Sequence, residues 1–100
     1  MTPNALRLDL ICPRDLEADL TDWLTERQPE APLLVTNVRG HNDASRPMTV
    51  AEQVAGTLPL IRLSLTTHED NARELLASLS ADYAGSGVRW SMWLVETGWV

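Results

Sequence analysis

LPLIRLSLTTHEDNARELLASLSADYAG, Leu58 to Gly85, is the stretch that decides the fold. Its first part alternates. Ile61, Leu63 and Leu65 are apolar, with Arg62, Ser64 and Thr66 between them, which is a strand with one apolar face. The period then lengthens. Ala72, Leu75, Leu76, Leu79 and Tyr83 recur at helical spacing and predict one buried stripe. Thr66-Thr-His-Glu69 has the form of a capping box, with Thr67 and Asp70 as an alternative one residue on. His68 belongs to this cap region. Gly85 suits the left-handed position that closes a helix. Alternation resumes in VRWSMWLVE, where Val88, Trp90, Met92 and Leu94 interleave with Arg89, Ser91, Trp93 and Val95. The C-terminal half is therefore strand, helix, strand.

The N-terminal half repeats that order. Leu6, Leu8, Leu10 and Cys12 point one way, and Arg7, Asp9 and Ile11 the other. Pro13 and Asp15 open a helix, with Asp15 as the expected N-cap. Leu16, Leu20, Trp23 and Leu24 form its apolar stripe, and Gln28-Pro29 ends it. LLVTNVR, Leu33 to Arg39, is apolar and β-branched and reads as a strand. The sum is βαββαβ, an α+β ferredoxin-like fold. It predicts an antiparallel sheet with two helices on one face and a long loop between strands two and three.

The other sheet face would then carry Arg7, Asp9, Ile11, Arg62, Ser64, Arg89, Ser91, Trp93 and Val95. An antiparallel sheet can leave such a face in water. Trp93, Val95 and Ile11 are large for that role and favour a subunit interface. Trp99, next to the last residue, also calls for a docking place on a neighbour.

The chain has 100 residues, 44% apolar and 22% charged, the size and composition of a single folded domain. The formal charge is −6, and all basic side chains are arginine. A nucleic-acid binder needs a basic surplus to displace counterions, so nucleic acid is not an expected partner. No apolar run reaches the ~20 residues needed to span a bilayer, so no direct membrane insertion is expected. The start, MTPNALRLDL, lacks the basic and apolar regions of a secretory leader, so the cytoplasm is the expected compartment. Cys12 is the single cysteine, which excludes an internal disulfide and a cysteine-rich zinc site.

The connection GHNDASRPMTVAEQVAGTL, Gly40 to Leu58, divides in two. Its first half is polar and turn-prone. In its second half Thr49-Val-Ala-Glu52 is a capping box and Gly56 a helix stop, so TVAEQVAG predicts a short helix. Val50 and Val54, one turn apart, are expected to pack on the body. Glu52 is then either a cap or, with His41, a metal ligand. His41 with scattered Asp43, Met48 and Glu52 is not a metal motif in one chain, because zinc or copper needs three or four converging ligands. Ligands shared between subunits would complete the number.

The chain order, its length and the long loop resemble the PII-like and CutA-like trimeric proteins. VRGHN and TVAEQVAG, within Val38 to Gly56, with LRLDLICPRDLEADLTDWL near the start, resemble one small bacterial family in that group. It is a domain-of-unknown-function family often encoded beside heavy-metal efflux systems of the resistance-nodulation-division type. The resemblance implies a homotrimer with inward-facing sheets and a non-enzymatic regulatory or sensor role. It implies a loop, here 41–57, that contacts a membrane efflux transporter. It also implies a small ligand or divalent metal ion at the subunit interfaces near the loop base. Gly40, His41, Arg46 and Gln53 are the expected ligand-binding residues, and His41 and Glu52 the expected metal ligands. The alternative is a metal-binding or buffering protein of CutA-like type. The chain departs from PII proteins after its second long helix. Ala84-Gly-Ser-Gly87 has no lysine, which speaks against adenine nucleotides. Acylphosphatase-like chemistry lacks its anion cradle, because Cys12-Pro-Arg-Asp15 has no glycine and Pro13 donates no N–H. No nucleophile–base pair is visible in the sequence.

Overall fold

The computed structural model describes residues 5–41 and 47–100. Strand β1 is Ala5–Pro13, followed by a 3-10 turn, Arg14–Leu16, and helix α1, Glu17–Arg27. Strand β2 is Leu33–Gly40, helix α2 Val50–Ala55 and strand β3 Leu58–His68. Helix α3, Glu69–Asp82, and strand β4, Arg89–Leu94, complete the order. The four strands form one antiparallel sheet in the order β2-β3-β1-β4. This is the ferredoxin-like arrangement, with α2 added inside the long connection.

The register explains the core. Leu8 pairs with Leu65 and Met92, and Leu10 with Leu63 and Trp90. These rows point to α1 and α3, because Leu8, Leu10, Cys12, Ile61, Leu63 and Leu65 cluster with Leu20, Trp23, Leu24, Leu75, Leu76 and Leu79. Both predicted helical stripes are therefore buried. Leu16 and Tyr83 pack at their margins.

A second lock joins the two long helices. Trp23 Nε1 donates to Asp82 Oδ2 at 2.8 Å. Arg27 reaches the same oxygen at 3.4 Å, and its guanidinium lies 4.0 Å from the centre of the Trp23 ring. Tyr83 meets Trp23 edge-on at 6.0 Å. Burial, then Asp19 and Asp82, raises the Tyr83 hydroxyl pKa above its usual value, with Arg27 opposing.

Three local expectations are corrected. Asp15 is no N-cap: it lies in the 3-10 turn, and Leu16 occupies the cap position of α1 with no side-chain bond. The turn absorbs the residues after Pro13 and delays the helix. The capping box predicted at α3 does not form, because β3 runs to His68, which takes the N-cap position without a side-chain bond. Thr67 stays in the strand, where its hydroxyl lies 3.4 Å from both Gln28 Oε1 and Asn71 Nδ2. Sheet pairing holds this backbone extended, and a side-chain cap does not compete with it. The third correction concerns α2. Val50 and Val54 do not pack on the body but are 77% and 85% exposed.

Candidate functional site

The open sheet face has the composition its alternation predicted. Arg7 pairs with Thr66 and Trp93, Asp9 with Ser64 and Ser91, and Ile11 with Arg62 and Arg89. Asp9 and Ser64 sit at its centre, each 7% exposed, and the Ser64 hydroxyl donates to Asp9 Oδ1 at 2.6 Å. A buried carboxylate needs such a partner, because burying a charge without hydrogen bonds is costly. Arg7 lies two residues away on β1, and Arg62 and Arg89 lie diagonally across on the flanking strands. Trp93 stands beside Arg7 with 46% of its surface in solvent. The face thus combines a satisfied polar centre, a frame of arginines and an exposed aromatic ring. The helical layer is opposite in character, carrying most of the chain's acids.

Towards the long connection the same face changes. Leu58 and Leu60 are 1% and 2% exposed, although they point away from the helices. Leu60 lies between Pro13 and Val38, and Leu58 pairs with Gly40. This apolar end anchors the point where the connection leaves and rejoins the sheet.

The second half of the connection forms the predicted short helix, whereas residues 42–46 of the first half lie outside the described residues. Gly40 is the last residue of β2, and His41 follows it, exposed. Arg46 and Asp43 lie outside the described residues. At the other end α2 is fully capped. Glu52 N–H donates to the Thr49 hydroxyl at 3.2 Å, and Thr49 N–H donates to Glu52 Oε1 at 2.9 Å. Gly56 closes the helix with φ +75°, a conformation glycine adopts at little cost. Gln53 Nε2 donates to the Met48 carbonyl at 3.3 Å. Glu52 and Gln53 therefore serve the local fold of the loop. Among the described residues no group of three His, Cys, Asp or Glu side chains gathers to hold a metal ion. Cys12 is buried, and burial with Asp15 and Glu17 pushes its thiol pKa up to about 11. It is a core hydrophobe, inert as a nucleophile.

Sequence reasoning missed the exposed apolar side of α2 and the Trp23–Asp82 lock. A valine pair one turn apart looks the same in sequence whether it meets the body or solvent. The lock joins residues far apart in the chain, and no local pattern announces it.

The sheet order, the two helices on one face and the long connection define a ferredoxin-like α+β fold of the kind PII-like proteins share. The chain belongs to the DUF3240 family of proteins of unknown function, which it matches over residues 2–99. A DUF3240 protein from Shewanella baltica, solved at 2.40 Å, superposes with a TM-score of 0.74 at 16% identity, covering 99% of this chain and 98% of that one. A provisional PII-like signaling protein from Thermus thermophilus superposes with a TM-score of 0.64 at 20% identity, covering 88% of this chain and 83% of that one. At these identities the likeness establishes the fold. No curated protein matches the chain. No helix among the described residues is long and apolar enough to cross a membrane.

Proposed function

We propose that this chain is a non-enzymatic PII-like regulatory protein that works as a cytoplasmic homotrimer and contacts its target through the 41–57 connection. The observation that carries the reading is α2. A short helix capped at both ends holds Val50 and Val54 in solvent. A helix that contributed only to the core would bury its valines. An exposed pair of valines on a capped helix suits partner contact. The PII-like neighbour supports a signalling role. The target we infer from the family resemblance is a membrane efflux transporter of the heavy-metal type. A small ligand at the loop base would meet Gly40, His41, Arg46 and Gln53.

The metal-buffering alternative has less support. Glu52 is engaged by the Thr49 cap, so a metal would compete with the helix for it. Calorimetry with copper, zinc, cobalt and nickel tests it, and heat that vanishes in His41→Ala would revive it. The regulatory reading is tested in two steps. Light scattering must return the mass of three subunits, and a one-subunit mass overturns the assembly. Capture of the transporter on immobilised protein must be lost in Val50→Asp/Val54→Asp. Undiminished capture by that variant overturns the role of α2.

A further inference from the structure

The chain is acidic, with a formal charge of −6, yet its sheet is basic. Asp9 is the single acid in the four strands, which carry Arg7, Arg39, Arg62 and Arg89. Arg39 pairs with Pro59 and lies on the helical face. The other three arginines share the open face with Asp9. Among the described residues no acid forms an ion pair with Arg7 or Arg62. Asp9 does not neutralise them, because its Oδ1 takes the Ser64 hydroxyl at 2.6 Å and the residue is buried.

The register sets two of these arginines on either side of one residue. Ile11 pairs with Arg62 on β3 and with Arg89 on β4. Neighbouring strands lie about 4.8 Å apart, so the two Cα atoms are roughly 10 Å apart, with both side chains on one face. Like charges at that spacing repel each other, and no acid stands in their row. Ile11, half-buried, forms an apolar floor between the guanidiniums.

We propose that the open face binds a small oxyanion between Arg62 and Arg89, over Ile11. The ligand class is a phosphoryl or dicarboxylate group. A guanidinium presents its N–H donors in a planar fork that matches the paired oxygens of phosphate and carboxylate. One anion reached by both side chains turns their repulsion into attraction. Arg89 need give only one of its N–H donors. Thr36 beside Arg62, and Ser91 diagonal to Ile11, add exposed hydroxyl donors at the rim. The contacts run over an apolar side chain, where charge-assisted bonds are stronger than in open water. The proposal goes beyond the regulatory reading above and does not depend on it, since one chain supplies every group.

Calorimetry on the intact chain at low ionic strength tests this, with inorganic phosphate in one arm and succinate in the other. Saturable heat with phosphate alone assigns a phosphoryl ligand, and with succinate alone a dicarboxylate. No heat in either arm overturns the site. Arg62→Gln, at an exposed position, should weaken binding about ten-fold or more, with circular dichroism unchanged. Arg7→Gln should weaken it less than about two-fold, because Arg7 lies about 13 Å from Ile11 along β1. Asp9→Asn should tighten it about three-fold, the Coulomb effect of one charge about 7 Å away in water. Arg73→Gln removes the same charge from α3, in the other layer, and should leave the affinity within about two-fold. Equal weakening by Arg73→Gln and Arg62→Gln would show a response to net charge alone and overturn the site. Undiminished binding in Arg62→Gln with loss in His41→Ala would place the anion at the loop base and overturn it too. Anion binding by a protein of one-subunit mass would remove the trimer and leave this proposal standing.

Discussion

Replacing Asp82 with alanine removes the acceptor that joins α3 to α1. Trp23 is 8% exposed, and its indole N–H gives a 2.8 Å bond to Asp82. A buried donor left without a partner costs about 1–3 kcal/mol. The Arg27–Asp82 ion pair lies 3.4 Å apart, with side chains 37% and 47% exposed, so solvent screens it. An exposed pair adds at most about 1 kcal/mol. The expected loss is therefore about 2 kcal/mol, set mainly by the indole. In a domain of this length each kcal/mol lowers Tm by about 4–8 °C. Asp82→Asn keeps an acceptor oxygen and loses only the charge, so it should cost less than about 1 kcal/mol. Trp23→Phe removes the donor itself. In that background Asp82→Ala should cost less than about 1 kcal/mol, leaving a coupling of roughly 1–2 kcal/mol in the double-mutant cycle. Urea unfolding at one fixed subunit concentration measures all four proteins. Additive losses, or an Asp82→Ala stability within about 0.5 kcal/mol of the parent, would refute the reasoning.

Ser64→Ala strips the buried Asp9 carboxylate of its 2.6 Å donor. It should cost about 1.5–3 kcal/mol in the same assay, as expected for a bond to a charged group. Thr49→Ala should destabilise α2 by about 1 kcal/mol through loss of the cap. Gly56→Ala should cost a similar amount, about 1 kcal/mol, for placing a side chain at φ +75°. Both losses should speed exchange of α2 amides while leaving those of β1 and β3 unchanged, since α2 buries no residue. Cys12 should resist thiol reagents until the chain unfolds. Its thiol pKa rises from 9.0 to about 11 on folding, so the folded state holds the proton more tightly. That contribution to stability is complete below pH 9.0 and is lost as pH rises towards about 11. The urea midpoint should fall across this window, and fall less in Cys12→Ala.

Much of the architecture was legible because it follows from short-range periodicity. The alternation in Leu6–Cys12, Ile61–Thr66 and Val88–Val95 assigned each residue to a sheet face, and the register agrees for Leu6–Cys12, Ile61–Thr66 and Arg89–Leu94, while Val88 and Val95 fall outside β4. The stripes of α1 and α3 were equally plain, since helical spacing and a single buried side produce one pattern. The box at Thr49–Glu52 formed because its backbone is free to take the cap conformation. The similar motif at Thr66–Glu69 failed because its first residues are paired in β3. A cap motif reports what a side chain offers, and the sheet decides whether the backbone accepts it.

The candidate site was less legible. The residues of its face could be named from parity, but the Asp9–Ser64 bond depends on β1 and β3 being neighbours. Gly40 and His41 fell at the end of β2 as their sequence position required. Glu52 bonds the Thr49 cap and Gln53 the Met48 carbonyl, local contacts that sequence position alone makes plain only for the cap.

The sequence by itself determined the order of elements, the inward side of β1, β3, α1 and α3, and the short helix in the long connection, because these depend on neighbours within a turn or a strand. Tertiary structure alone decided which strands became edges, that Val50 and Val54 face solvent, and that Trp23 finds Asp82. Those outcomes depend on what the rest of the chain covers, and the same apolar residue reads identically whether another layer reaches it or leaves it bare.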